Sequence, residues 1–178
     1  PDHGTVAVLD ADSAALLFEV PVCDHPRAVA RAAGGELWVS CAGDDRIRIL
    51  DAAGTVAGEV PLGYGSRPAG LVASGSGATL YVALEGRGEV RRIDAATRQA
   101  TGTLALGPQP RALALSADGA RLLVTRFLSE RDWGEVWDVA TASLTLSRTI
   151  RLNKLGGDAN RDTTASGRGA PNQLAAIV

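Results

Sequence analysis

One segment of this chain recurs at a fixed spacing of 42 residues, with Pro26, Pro68 and Pro110 opening PRAVARA, PAGLVAS and PRALALS. A second pattern follows each copy as ELWVSCA, TLYVALE and RLLVTRF, and a third as DRIRILD, GEVRRID and GEVWDVA. The clearest copy, residues 68–109, holds four apolar stretches, AGLVAS, TLYVAL, EVRRID and ATGTLAL, separated by turn-forming residues. Alternation of period two across short connections predicts an antiparallel meander of four strands. A lone sheet of this kind has two faces to bury, and repetition supplies the neighbours that bury them. Four strands in roughly 40–45 residues is the period of a β-propeller blade; helical repeats of similar length lack the strand alternation. The turn after the third strand is expected at Asp51-Ala-Ala-Gly, Asp94-Ala-Ala-Thr and Asp138-Val-Ala-Thr, with Asp10-Ala-Asp-Ser ahead of them.

The repeat divides residues 1–178 into one propeller segment: a partial blade at 1–25, blades at 26–67 and 68–109, a blade with rim insertions at 110–170, and the first strand of another at 171–178. The expected fold is all-β, a propeller of four-stranded antiparallel blades with about 3.5 to 4 blades present, cut from a larger ring of about seven. The alternative is a four-bladed ring in which the two terminal segments share a blade. An open arc exposes strand edges. It points to the remainder of the propeller, a protein partner, or a second copy of the chain as what covers those edges.

Charge narrows the partners further. A net charge of −2 and an isoelectric point near 5.7 provide no general basic field for nucleic acid or an anionic membrane. No apolar run approaches the length of a membrane-spanning helix. Cys23 lies where one blade gives way to the next, and Cys41 ends the second strand of that next blade. In a meander these points share a rim, so the two residues are either small buried thiols or a disulfide, the latter implying an oxidising compartment. Neither belongs to a Cys-x-x-Cys pair, which argues against zinc and thiol redox chemistry.

Two family resemblances follow from specific residues. PAGLVASGSGATLYVALEGRGEVRRID at 68–94 and PRALALSADGARLLVTRF at 110–127 resemble the YVTN family of bacterial β-propeller repeats, which implies the fold and little about activity. RFLSERDWGEVWDV, SRTIRL, SGRGAPN and the cysteine contexts VCDHPRAVA and LWVSCAG are similar to the propeller part of secreted bacterial proteins linked to c-type cytochrome and dihaem peroxidase-like segments. That resemblance implies a periplasmic or extracellular location and haem in a partner domain. No Cys-x-x-Cys-His occurs, so no cofactor is expected in this segment itself.

Candidate binding residues collect on the rim where inner strands begin: His25, Arg27, Arg67, Arg111 and Arg126, with Arg168 and Asn172 further on. Arg27 and Arg111 each follow a blade-opening proline and so belong beside the central channel. Guanidinium groups there suit a carboxylate, a phosphate or an acidic loop, or else they brace neighbouring loop carbonyls and carboxylates. Asp158, Asn160 and Asp162 begin like a calcium loop, but Thr163 and Gly169 stand where such a loop needs Gly and Glu. A polar loop is the better reading, with calcium left open. The glycines of GYGSRPAG have the wrong spacing for a dinucleotide and join strand to strand. The function expected is a non-catalytic binding and scaffolding propeller; the rival is a hydrolase or lactonase-type enzyme whose rim carboxylates hold a divalent cation.

Overall fold

The computed structural model describes residues 4–128 and 133–153. Apart from a three-residue 3-10 turn at Ala33–Gly35, the regular structure among them is all strand. Strands β1 (Thr5–Leu9) and β2 (Leu16–Pro21) form a two-stranded sheet. Three four-stranded sheets follow. The first is β3 (Pro26–Arg31), β4 (Leu37–Cys41), β5 (Arg46–Leu50) and β6 (Val56–Pro61); the second is β7 (Pro68–Ala73), β8 (Thr79–Leu84), β9 (Glu89–Asp94) and β10 (Gln99–Ala105). The third is β11 (Pro110–Leu115), β12 (Arg121–Arg126), β13 (Trp133–Ala140) and β14 (Thr145–Asn153). Each sheet is a simple antiparallel meander in chain order, and the inner strands β3, β7 and β11 lie side by side. These are propeller blades.

The core lies between blades, and period-two geometry decides which residue serves which interface. On β8, Leu80, Val82 and Leu84 pack with Trp38, Ile47 and Ile49 of the preceding blade. The intervening Tyr81 joins Leu122, Val124, Trp137 and Val139 of the following one. A third cluster ties Val6 and Val22 to Val39, Cys41 and Leu50. The second strands β4 and β8 are therefore buried on both faces, while the outermost β6 and β10 are largely exposed. Trp38 is wholly buried and donates its indole N–H to Glu36 Oε2 at 3.1 Å, as an aromatic between blades requires.

One turn differs from its expected position. The third blade does not turn at Asp138. β13 continues to Ala140, and the turn is closed by Leu144 at φ 51°, the counterpart of Arg98 at φ 57°. Val139 is fully buried, so its burial carries the strand past the Asp. Asp138 is instead an interior carboxylate, accepting from Arg121 Nε and Arg148 Nε at 2.9 Å each. Those two guanidinium groups, Arg121 first, outweigh the cost of burial and hold it below the usual carboxylate range. Asp51 and Asp94 do form the expected turns: their Oδ1 atoms accept the backbone N–H of Ala53 and Thr97 at 2.9 and 2.8 Å.

Candidate functional site

Each inner strand is entered through the same backbone step. His25, Arg67 and Gln109 occupy the left-handed region at φ 51°, 46° and 58°, each directly ahead of the blade-opening proline. A non-glycine residue there is uncommon and needs to be held in place. The restraint repeats as well: the three carbonyls accept backbone N–H groups from Ala42, Glu85 and Phe127 at 3.0, 3.2 and 2.9 Å. The ladder then shifts register just past Pro26, Pro68 and Pro110. In the first and third full blades, side-chain hydroxyls take up the donors of the shifted segment. Ser40 Oγ accepts the Ala28 N–H at 3.0 Å, and Thr125 Oγ1 accepts the Ala112 N–H at 3.0 Å.

This step brings residues 27, 69 and 111, which are Arg, Ala and Arg, to equivalent places. Arg27, Ala69, Gly70 and Arg111 line one cavity of about 320 Å³, completed by neighbouring inner-strand residues such as Leu71 and Leu113. Gly70 is required by close approach, because a Cβ at that position would lie 2.2 Å from the carbonyl oxygen of Arg111. Arg27 is exposed, and among the described residues nothing pairs with its guanidinium. Arg111 is held: its guanidinium stacks over the Phe127 ring at 3.6 Å from the centroid, and Nη1 is 3.9 Å from Glu85 Oε2. The middle of the cavity carries no charge.

The rim around the cavity is braced. Asp45 Oδ2 accepts the Gly65 N–H at 2.7 Å, and Oδ1 accepts Ser66 Oγ at 3.2 Å and the Arg67 N–H at 2.8 Å. Burial alone would raise the Asp45 pKa, but these donors, led by the Arg67 and Gly65 N–H groups, together lower it. Tyr64, at the tip of this loop, is 95% exposed, and its carbonyl accepts from Arg87 Nη2 at 3.1 Å. Cys23 and Cys41 are joined in a disulfide, with Cα atoms 5.9 Å apart, which ties the approach to β3 onto the end of β4.

The remaining sequence candidates are dispersed. His25 stands on the rim with Nδ1 2.8 Å from Asp24 Oδ1. Arg67 contributes its backbone N–H to the Asp45 brace and is exposed. Arg126 lies opposite Pro110 with its side chain only 11% exposed, and its Nη1 is 3.0 Å from Glu135 Oε2. Arg168, Asn172 and the calcium-like set Asp158, Asn160 and Asp162 lie outside the described residues, as does the strand expected at 171–178. Among the described residues no three His, Cys, Asp or Glu side chains converge as a metal set. Sequence reading did not single out Ala69, Gly70 or Phe127. Stepping residue 27 forward by the repeat finds the first of these, and only packing reveals the other two.

No family model matches the chain, and no curated protein matches it. Among solved structures, hydrazine synthase from Kuenenia stuttgartiensis aligns with a TM-score of 0.77 at 24% identity, over 85% of this chain and 44% of that one. Virginiamycin B lyase from Staphylococcus aureus gives 0.67 at 14% identity, over 83% and 48%, and dihydro-heme d1 dehydrogenase NirN gives 0.63 at 16%, over 85% and 34%. The chain spans less than half the length of each of these three. At such identities the likeness is one of fold, and with the stacked meanders it places the chain among β-propeller-like proteins. No helix among the described residues is long and apolar enough to cross a membrane.

Proposed function

We propose that this chain is a non-catalytic binding and scaffolding propeller that receives an anionic group at the mouth of its channel, from a small ligand or from an acidic loop of a partner protein. The observation that carries the reading is the shared cavity of Arg27 and Arg111, with one guanidinium unpaired among the described residues and the other oriented by an aromatic ring. Arginine groups presented this way favour carboxylate or phosphate through charge-assisted hydrogen bonds.

On the sequence resemblance, the blades are of the YVTN type and serve as a platform beside a cytochrome-type electron-transfer domain that carries the haem. The disulfide supports an oxidising compartment, the periplasm or the cell exterior. Titration of the chain with inorganic phosphate and with acetate, followed by arginine side-chain NMR, tests the anion site. The Nε signals of Arg27 and Arg111 should move, and the Arg27→Ala/Arg111→Ala variant should keep the parent circular dichroism and bind neither anion. Binding unchanged in that variant removes both arginines from the site.

A further inference from the structure

Resting on that anion-site reading, we propose that the mouth is built for a ligand with two separated negative groups, a linear dicarboxylate. One carboxylate meets Arg27, the other meets Arg111, and the connecting methylenes lie over Ala69 and Gly70.

The first argument is separation. Arg27 is on β3 and Arg111 on β11, with β7 packed between these two strands. The two arginines therefore enter the shared cavity from strands on either side of β7. A compact anion is satisfied at one arm, whereas a molecule with a charge at each end uses both. Linking two such contacts makes the second effectively intramolecular and raises affinity without any new kind of contact.

The floor between the arms supports the same ligand. At the position where its neighbours carry arginine, the middle blade carries the methyl group of Ala69, followed by Gly70. The carbonyl of Arg111 sits so close to Gly70 that no side chain fits there. This strip carries no charged side chain: it is made of the Ala69 methyl, the Leu71 and Leu113 wall and strand backbone that includes the Arg111 carbonyl, so a charge at the middle of a ligand meets no counter-charge there. A volume of about 320 Å³ is at the small end of ligand cavities, which matches a short aliphatic acid better than a nucleotide.

The arms are unequal. Arg27 offers all its donors among the described residues. Arg111 faces Glu85 across 3.9 Å, longer than the roughly 2.7–2.9 Å of a strong charge-assisted hydrogen bond, so the contact leaves donors for a ligand while offsetting part of the charge. Glu85 thus competes with the ligand carboxylate at this arm.

The test is calorimetric titration of the full chain with the linear series from succinate to suberate, beside acetate and inorganic phosphate. The expected result is an optimum chain length that binds at least about tenfold tighter than acetate or phosphate. Arg27→Gln and Arg111→Gln should each reduce that ligand to the acetate level, and Glu85→Gln should tighten it several-fold, all with parent circular dichroism. If acetate or phosphate binds as tightly as every diacid and is still lost in the double arginine variant, the two-point inference falls and the anion site stands. If no anion shows arginine-dependent binding, both fall.

Discussion

The first and third full blades place the same residue at the same point of the repeat and leave it in opposite conditions. Arg27 enters from a segment covalently tied by the Cys23–Cys41 disulfide, yet its guanidinium has no partner among the described residues. Arg111 enters through Gly107 to Gln109 with no such tie, and its guanidinium is stacked on Phe127 and faced by Glu85. The residue whose N–H closes the rim step accounts for much of the contrast: it is Ala42 in the first blade, Glu85 in the second and Phe127 in the third. The backbone repeat fixes where the arginine stands. The variable position beside it carries the ring that stacks on Arg111 in the third blade and only a methyl group in the first.

Removing the tether is the strongest way to break this comparison. Cys23→Ser with Cys41→Ser opens an 18-residue separation, and closing a loop of that length contributes about 3 kcal/mol in the chain-entropy account. Denaturant unfolding should show a loss of that order. Anion binding should weaken at the Arg27 arm, while the Arg111 NMR signals keep their parent positions.

A smaller effect is expected at Asp45, which braces the loop between the first and second full blades. Its pKa in the folded protein lies below the ordinary 3.8. Ionised Asp45 therefore contributes stability that is present above that value and is lost as pH falls through the lower, folded value. Asp45→Asn should cost about 1 kcal/mol at neutral pH. In acid titrations followed by thermal melting, the gap between variant and parent should narrow as pH drops below 3.8.

The smallest effect would make the arms alike. Ala42→Phe places a ring where the third blade has Phe127, and a cation–π contact at an exposed site is worth about 0.5–1 kcal/mol. Side-chain NMR relaxation should then report a less mobile Arg27. An unchanged Arg27 would show that position 42 does not set the contrast.

Much of this organisation was legible beforehand because it is periodic. The 42-residue spacing of the prolines and the alternation in TLYVAL are consequences of stacking like sheets, and each of these prolines opens the first strand of a four-stranded antiparallel sheet. The same phase placed residues 27 and 111 at one mouth. The departures were local. Asp138-Val-Ala-Thr has the composition of the other turns, but Val139 is drawn into the core and the strand runs on, leaving Asp138 between two arginines. Arg126 carries the same charge as Arg27, yet its side chain folds against Glu135 on a neighbouring strand, a contact no spacing announces.

By itself, then, the sequence determined the blade period, the strand order within each blade and the shared phase of residues 27 and 111, because these depend on regular backbone geometry and on which face must leave water. Tertiary structure alone decided which arginine is stacked and which has no partner among the described residues, and that Gly70 lets the backbone of β11 approach β7 closely. Those outcomes depend on contacts between side chains and backbone atoms of different strands and blades, at ångström separations that only packing sets.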